Sequence, residues 1–69
     1  MKVYVIEFID EYERESFVDD FAYKDFEKAL GYLTEKGYEY EYRYNDRYIF
    51  TKIIDNNYFA SVIELEVLI

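Results

Sequence analysis

The chain lacks cysteine, histidine and proline altogether, and it has only two glycines in 69 residues. Without cysteine or histidine it forms no disulfide and none of the usual zinc or haem sites. The usual activated nucleophiles, and the one side chain that titrates near neutral pH, are missing as well. A domain of this length buries only about 60% of its unfolded surface, so we expect close packing or self-association to stabilise it.

Basic residues are also scarce, because eight Lys and Arg stand against sixteen Asp and Glu, for a net charge of −8. Nucleic-acid binding depends on neutralising phosphates, so this balance argues against a direct nucleic-acid ligand and against an anionic membrane. No apolar run approaches the roughly 18 residues of a spanning helix. The first residues, MKVYVIEFID, alternate and carry acids, unlike a signal peptide. We therefore expect a soluble cytoplasmic protein.

Enzymatic activity is not expected. Two carboxylates could still act as general acid and base, but they need a walled pocket that shifts their pKa values. A chain this short has little material for such a pocket, and no cofactor motif is present. A metal site is not expected either, because the Asp-x-Asp-x-Asp-Gly spacing of a calcium loop is absent.

Hydrophobic periodicity predicts a single α+β domain over residues 1–69. Alternation predicts strands over residues 1–12, 16–22, 38–44, 48–54 and 58–69, with turns at residues 45–46 and 55–57. The first strand is apolar on both faces, which suggests a central strand covered on two sides. In the last strand, one face carries Phe59, Ile63, Leu65, Val67 and Ile69. The predicted order is β-β-α-β-β-β, a mainly antiparallel sheet of about five strands with one helix on one face.

The helix is predicted over residues 24–36. Its apolar residues follow the i, i+3, i+4, i+7 spacing of a single stripe, namely Phe26, Ala29, Leu30 and Leu33. Gly37 is placed to end the helix in the left-handed conformation. Gly31 lies inside the helix, where glycine costs about 1 kcal/mol relative to alanine, and we interpret it as allowing close approach to the sheet.

The stretch GYEYEYRY alternates tyrosine with charge, so a regular strand would place Tyr38, Tyr40, Tyr42 and Tyr44 on one face. Those rings either form cross-strand pairs on a half-exposed sheet or form an interface. The second alternative rests on the enrichment of tyrosine at protein contacts. Stacking of nucleic-acid bases on these rings is disfavoured, because the neighbouring charged residues are mainly Glu rather than Lys and Arg. A three-residue loop would pair Tyr42 with Phe50, and a two-residue loop would pair it with Ile49. We predict a homodimer through the uncovered face or a strand edge, with contacts from Tyr40, Tyr42 and Tyr44.

Acidic residues are concentrated early in the chain, with nine between Glu7 and Glu27 against only Arg14 and Lys24. They form either a solubilising surface or an imitation of a phosphate track that occupies a basic groove on another protein. The candidate charged contact residues are Asp10, Glu11, Glu13, Glu15, Asp19 and Asp20.

In its size, acidity, tyrosine content and lack of cysteine, the chain resembles the host-takeover and anti-defence proteins of bacteriophages, including anti-CRISPR and anti-restriction proteins. The resemblance covers the whole chain but involves no shared motif. It implies a protein that binds and inhibits a nucleic-acid-handling or defence protein by steric block or acidic mimicry. The alternative is a small dimeric structural or regulatory protein of a bacterium or phage that inhibits nothing.

Overall fold

A computed structural model describes residues 1–68 of the chain as one antiparallel sheet with a helix on one face. The strand order across the sheet is β2-β1-β5-β4-β3. This confirms the predicted α+β class and the β-β-α-β-β-β order. The elements are β1 (Lys2–Asp10), β2 (Glu15–Tyr23), α1 (Phe26–Glu35), β3 (Tyr38–Tyr44), β4 (Arg47–Lys52) and β5 (Asp55–Glu66).

Helix α1 packs on the sheet through the predicted stripe. Ala29 and Leu33 are fully buried, and Phe26 and Leu30 pack against the same cluster. Gly37 follows the helix with a φ of +86° and donates its N–H to the carbonyl of Thr34, as expected of a left-handed residue beyond the helix end. The helix is shorter than the predicted 24–36, because Asp25 already has extended backbone angles.

Gly31 does not serve a close approach to the sheet, and that interpretation was wrong. The residue is exposed, and a Cβ built on it meets no atom within 4 Å outside its own neighbourhood on the helix. It lies on the solvent side of α1, so glycine there costs conformational entropy without a packing benefit.

We therefore expect Gly31→Ala to raise the free energy of unfolding by about 1 kcal/mol. The matched control is Gly37→Ala, which places a side chain in the left-handed region and should lower stability by a similar amount. Chemical denaturation of the two variants measures both effects. An unchanged or lower stability of Gly31→Ala would contradict this account of the helix.

The sheet face that carries α1 holds the core. Ile6 of β1, Phe50 of β4, and Ala60 and Val62 of β5 are fully buried beneath the helix, together with Tyr38 of β3. Tyr4 and Phe8, which alternate with Ile6 along β1, pack against the same cluster. The hydrophobic core is therefore a single layer between one helix and one sheet face.

The opposite face of the sheet carries no helix, so within residues 1–68 β1 is covered on one side only, where two covered sides were expected. Strand β1 is interior in the sheet, but α1 is the only helix in residues 1–68 and it occupies one face. We call the other side the helix-free face. By register it holds Val3, Val5, Glu7, Ile9, Ser16, Val18, Ala22, Glu39, Tyr42, Tyr44, Arg47, Ile49, Thr51, Phe59, Ser61, Ile63 and Leu65.

An irregularity in β3 divides the tyrosines between the two faces. Tyr40 pairs with Phe50, but Tyr42 pairs with Ile49 and Tyr44 with Arg47, so Glu41 is an extra residue. A bulge of this kind reverses the alternation beyond it. Tyr38 and Tyr40 therefore face α1, whereas Tyr42 and Tyr44 lie on the helix-free face. The predicted single row of four tyrosines was wrong, although the two-residue loop that we left open is the one observed.

The chain turns between β4 and β5 at residues 53–54, not at the predicted residues 55–57. The polar residues of that predicted turn already belong to β5, where Asp55 and Asn57 hydrogen-bond to Tyr12. Ile53 and Ile54 are left exposed at the turn. Phe59, Ile63 and Leu65 share one face of β5 as predicted, while Val67 follows the strand and Ile69 lies outside the described residues.

Candidate functional site

The six candidate acids lie together at one border of the sheet. Asp10 ends β1, Glu11 and Glu13 lie in the turn, and the other three lie on β2, which is an edge strand. We call this group, Asp10, Glu11, Glu13, Glu15, Asp19 and Asp20, the acid edge. Glu11, Glu13, Glu15 and Asp20 are exposed. Charged side chains on an edge strand also discourage pairing with another strand.

Large apolar side chains are exposed among these acids. Phe17, Val18 and Phe21 of β2 are 63%, 54% and 65% exposed. Phe17 and Val18 are exposed on an edge strand, and Phe21 lies at an irregularity in pairing, because Asp19, Asp20 and Phe21 all lie opposite Ile6 alone. These residues were not among the predicted contacts, although Phe17 and Phe21 lie two residues before and two residues after Asp19. The acid edge is therefore a mixed apolar and anionic surface.

Asp10 and Asp19 differ from the other four acids because they line an open groove of about 400 Å³ beside the C-terminal half of α1. Asp10 also holds the β1–β2 turn, since its Oδ1 accepts the N–H groups of Tyr12 and Glu13 at 2.9 and 3.2 Å. Asp19 Oδ1 accepts the Asp20 N–H at 2.8 Å, while its Oδ2 is buried without a hydrogen-bond partner. The groove otherwise has aromatic walls and two lysines, Lys36 and Lys52.

The candidate tyrosines lie far from the acid edge, because β3 is the edge strand at the other side of the sheet. Four strand spacings of about 4.8 Å separate the two edges by about 19 Å. Tyr40 packs edge-on against Phe50, with ring centroids 5.6 Å apart, on the helix side. Tyr42 and Tyr44 are exposed on the helix-free face. The structure therefore does not bring the predicted charged and aromatic contacts into one site.

The centre of the helix-free face carries an ion pair. Arg47 of β4 donates to Glu7 of β1 at 2.9 Å, across the intervening β5. Ser61 of β5 lies beside the pair and is only 2% exposed. Nearby, Thr51 donates its hydroxyl to Glu41 at 2.7 Å. Around this polar centre the face is mainly aliphatic.

A small polar network joins the β1–β2 turn to the start of β5. The Tyr12 hydroxyl donates to Asp55 at 2.9 Å, and the Asn57 side-chain amide donates to Tyr12 at 3.1 Å. The backbone N–H of Asn57, followed by the Tyr12 hydroxyl, lowers the pKa of Asp55 below its usual 3.8. These bonds stabilise the ionised form of Asp55. Its role in this structure is therefore to hold the β1–β2 turn against the start of β5 rather than to transfer a proton.

Four tyrosines have hydroxyl pKa values raised above the usual 10.0: Tyr4, Tyr12, Tyr23 and Tyr38. Burial is the main cause for three of them, and for Tyr12 the main cause is the hydrogen bond to Asp55. A raised pKa means that folding favours the protonated hydroxyl. Stability should therefore be complete below pH 10 and decrease as the pH rises through the raised values.

We expect denaturant midpoints to decrease above about pH 10, and Tyr38→Phe to reduce the size of that decrease. Tyr38 is the informative position because only 8% of its surface is exposed. Tyr44→Phe, the same substitution at an exposed position, is the matched control. Identical profiles for the two variants would show that burial of Tyr38 does not contribute.

Within residues 1–68, no group of three or more acidic side chains is arranged to hold a metal ion. Helix α1 is too short and too polar to cross a bilayer, and no other helix is described. Comparison of the chain with protein-family models, curated proteins and solved structures found no match.

Proposed function

We propose that the protein is a non-enzymatic protein-binding module that uses its acid edge to block a nucleic-acid-handling or defence protein. The observation that supports this best is the exposure of Phe17, Val18 and Phe21 among the acids of β2. Apolar side chains surrounded by charge are typical of a contact in which aromatics give affinity and charges steer the encounter. A solubilising surface alone would need the charges but not the exposed rings.

The charge of the acid edge defines the partner. A net charge of −8 repels nucleic acid and attracts a basic surface. Basic grooves that hold phosphates are the commonest surfaces of that kind, and a rigid row of carboxylates could occupy one. In this proposal four acids contact the basic groove of the partner protein: Glu11, Glu13, Glu15 and Asp20. Asp10 and Asp19 lie closer to the helix and have local structural roles.

The alternative function is a regulatory or structural interaction protein that inhibits nothing. The helix-free face favours a self-association of that kind, because it is apolar and carries no helix. The two surfaces meet at Val18, which pairs with Glu7 of the helix-free face. The charged residues of the acid edge lie outside that pair, so either function can be tested through residues that the other does not use. A measurement of inhibition distinguishes the two functions.

Affinity capture from bacterial lysate tests the proposal. The bait is the wild-type protein, and a comparison bait carries Glu13→Gln, Glu15→Gln and Asp20→Asn. A matched control bait carries Glu27→Gln, Glu35→Gln and Glu39→Gln, three exposed acids outside the acid edge. We expect a basic protein to be retained by the wild-type and control baits at low salt and lost from the acid-edge variant.

The retained protein is then purified and its nucleic-acid binding measured with increasing amounts of the 69-residue protein. Stoichiometric loss of nucleic-acid binding is the expected result. A retained protein with an acidic surface, or one whose nucleic-acid binding is unaffected, would contradict the inhibitory function. Equal retention by all three baits would show that the acid edge is not the contact surface.

A further inference from the structure

We infer that the helix-free face is the interface of a homodimer in which Glu7 and Arg47 of one protomer pair with Arg47 and Glu7 of its partner. This goes beyond the proposed function, because it concerns the opposite side of the molecule from the groove and a different occupant. The argument depends on the apolar composition of the face, on its charge pattern, on its area and on the two sheet edges.

The apolar side chains of this face have no cover within residues 1–68. Val5, Ile9, Ile49, Phe59 and Ile63 lie there only partly buried, shielded by their neighbours in the sheet, and Leu65 is 43% exposed. Large exposed apolar patches on a small soluble domain mark interaction sites. Face-to-face packing of two such sheets, about 10 Å apart, is a common way to bury them.

The charge pattern identifies the occupant as a second copy. A two-fold contact places the same patch on both sides, so the patch must be complementary to itself. Glu7 and Arg47 meet this condition, because a two-fold axis near Ser61 brings each charge beside the opposite charge of the partner. The pair contributes no net charge, so the whole −8 of the chain lies outside the centre of the interface. An alternating group of four charges also offsets the desolvation of each ion better than one isolated pair.

The area is sufficient for a weak dimer. Five strands at about 4.8 Å, and the seven residues from Val3 to Ile9 at about 3.3 Å each, give roughly 550 Å² per protomer. The total of roughly 1,100 Å² is close to the lower limit of specific interfaces, where weak and transient complexes are found, so we expect association in the micromolar range. The two sheet edges are poorer candidates, because acids occupy β2 and Glu39 and Glu41 lie on β3.

The effect of salt distinguishes association through this interface from binding at the acid edge. Two copies that each carry −8 repel one another, so added salt should strengthen the dimer by screening the repulsion. Binding of a basic partner to the acid edge should weaken under the same change. Failure of the dimer and failure of the proposed function are thus distinguishable in one series of buffers.

The test is a mixing experiment with two charge-reversal variants, Arg47→Glu and Glu7→Arg. Each variant alone has like charges at all four positions and should run at the mass of one chain, 8.5 kDa. An equimolar mixture restores both pairs between protomers while leaving each internal pair like-charged. Light scattering should therefore find twice the single-chain mass for wild type and for the mixture only.

A second pair of variants covers the case in which charge reversal prevents folding, which circular dichroism would reveal. Leu65→Glu should raise the dissociation constant by about tenfold or more, because it places a charge in the apolar part of the interface. Leu68→Glu is the matched control, since Leu68 follows β5 and is 91% exposed. Wild type that remains a single chain up to about 0.5 mM would overturn the inference, since a dimer of micromolar affinity is assembled well below that concentration. It would also be overturned if the mixture stays monomeric although both variants fold, or if the two leucine variants dimerise equally.

Discussion

Phe50→Ala is expected to leave the protein largely unfolded at room temperature. Phe50 is fully buried in β4, under helix α1 and against the ring of Tyr40. Removing a buried phenylalanine side chain costs about 3–5 kcal/mol in free energy of unfolding. The single core of a chain of 69 residues rarely supplies more than about 3–5 kcal/mol, so little remains after this one change.

The matched control is Phe59→Ala, the same substitution on the helix-free face of the neighbouring strand. Phe59 is only partly buried in the single chain, so its removal should cost about 1–2 kcal/mol. Both variants are measured by chemical denaturation at a concentration well below the dissociation constant of the proposed dimer. Equal losses for the two positions would contradict the one-sided core that the fold describes.

The second large effect is expected on binding rather than on stability. Phe21→Ala should lower affinity for the captured partner by about 30-fold, which corresponds to a hot-spot residue worth roughly 2 kcal/mol. The side chain is 65% exposed on an edge strand, so its removal should change the free energy of unfolding by no more than about 0.5 kcal/mol. Isothermal calorimetry and chemical denaturation measure the two quantities separately.

Leu68→Ala is the matched control for Phe21→Ala. Leu68 is also a large exposed apolar residue, but it follows β5 at the end of the sheet where β1 begins, away from the acid edge. Its removal should change neither affinity nor stability. If Phe21→Ala binds as well as Leu68→Ala, the exposed rings of β2 do not contribute to the contact and the main support for the proposed function is lost.

Much of the fold could be predicted from the sequence because its signals are local. The stripe of Phe26, Ala29 and Leu33 indicates one helix with one buried face, and Gly37 marks its end. Alternation in β1 and β5 identifies two strands and their faces. The count of one helix against five strands also implies an uncovered sheet face, which the structure contains.

The irregular pairings could not be predicted, because they depend on neighbouring strands and not on local sequence. Glu41 is inserted in β3 without changing the alternation of letters, yet it moves Tyr42 and Tyr44 to the other face. In β2 three residues lie opposite Ile6, which leaves Phe21 exposed. The structure differs from the predicted site at these two places. Its tyrosines are divided between the two faces of the sheet, and exposed aromatic side chains lie among its acids.

The most direct test of the central claim, that the acid edge is the binding surface, is a salt titration of affinity for the captured partner. It compares the two triple variants that remove three acids inside and outside the acid edge. The account predicts that the acid-edge variant binds at least tenfold more weakly at low salt and depends less on salt, because three contacts with a basic surface are lost. The outside variant should follow wild type closely. Equal affinities and equal salt slopes for the two variants would contradict the claim, since net charge alone would then account for binding.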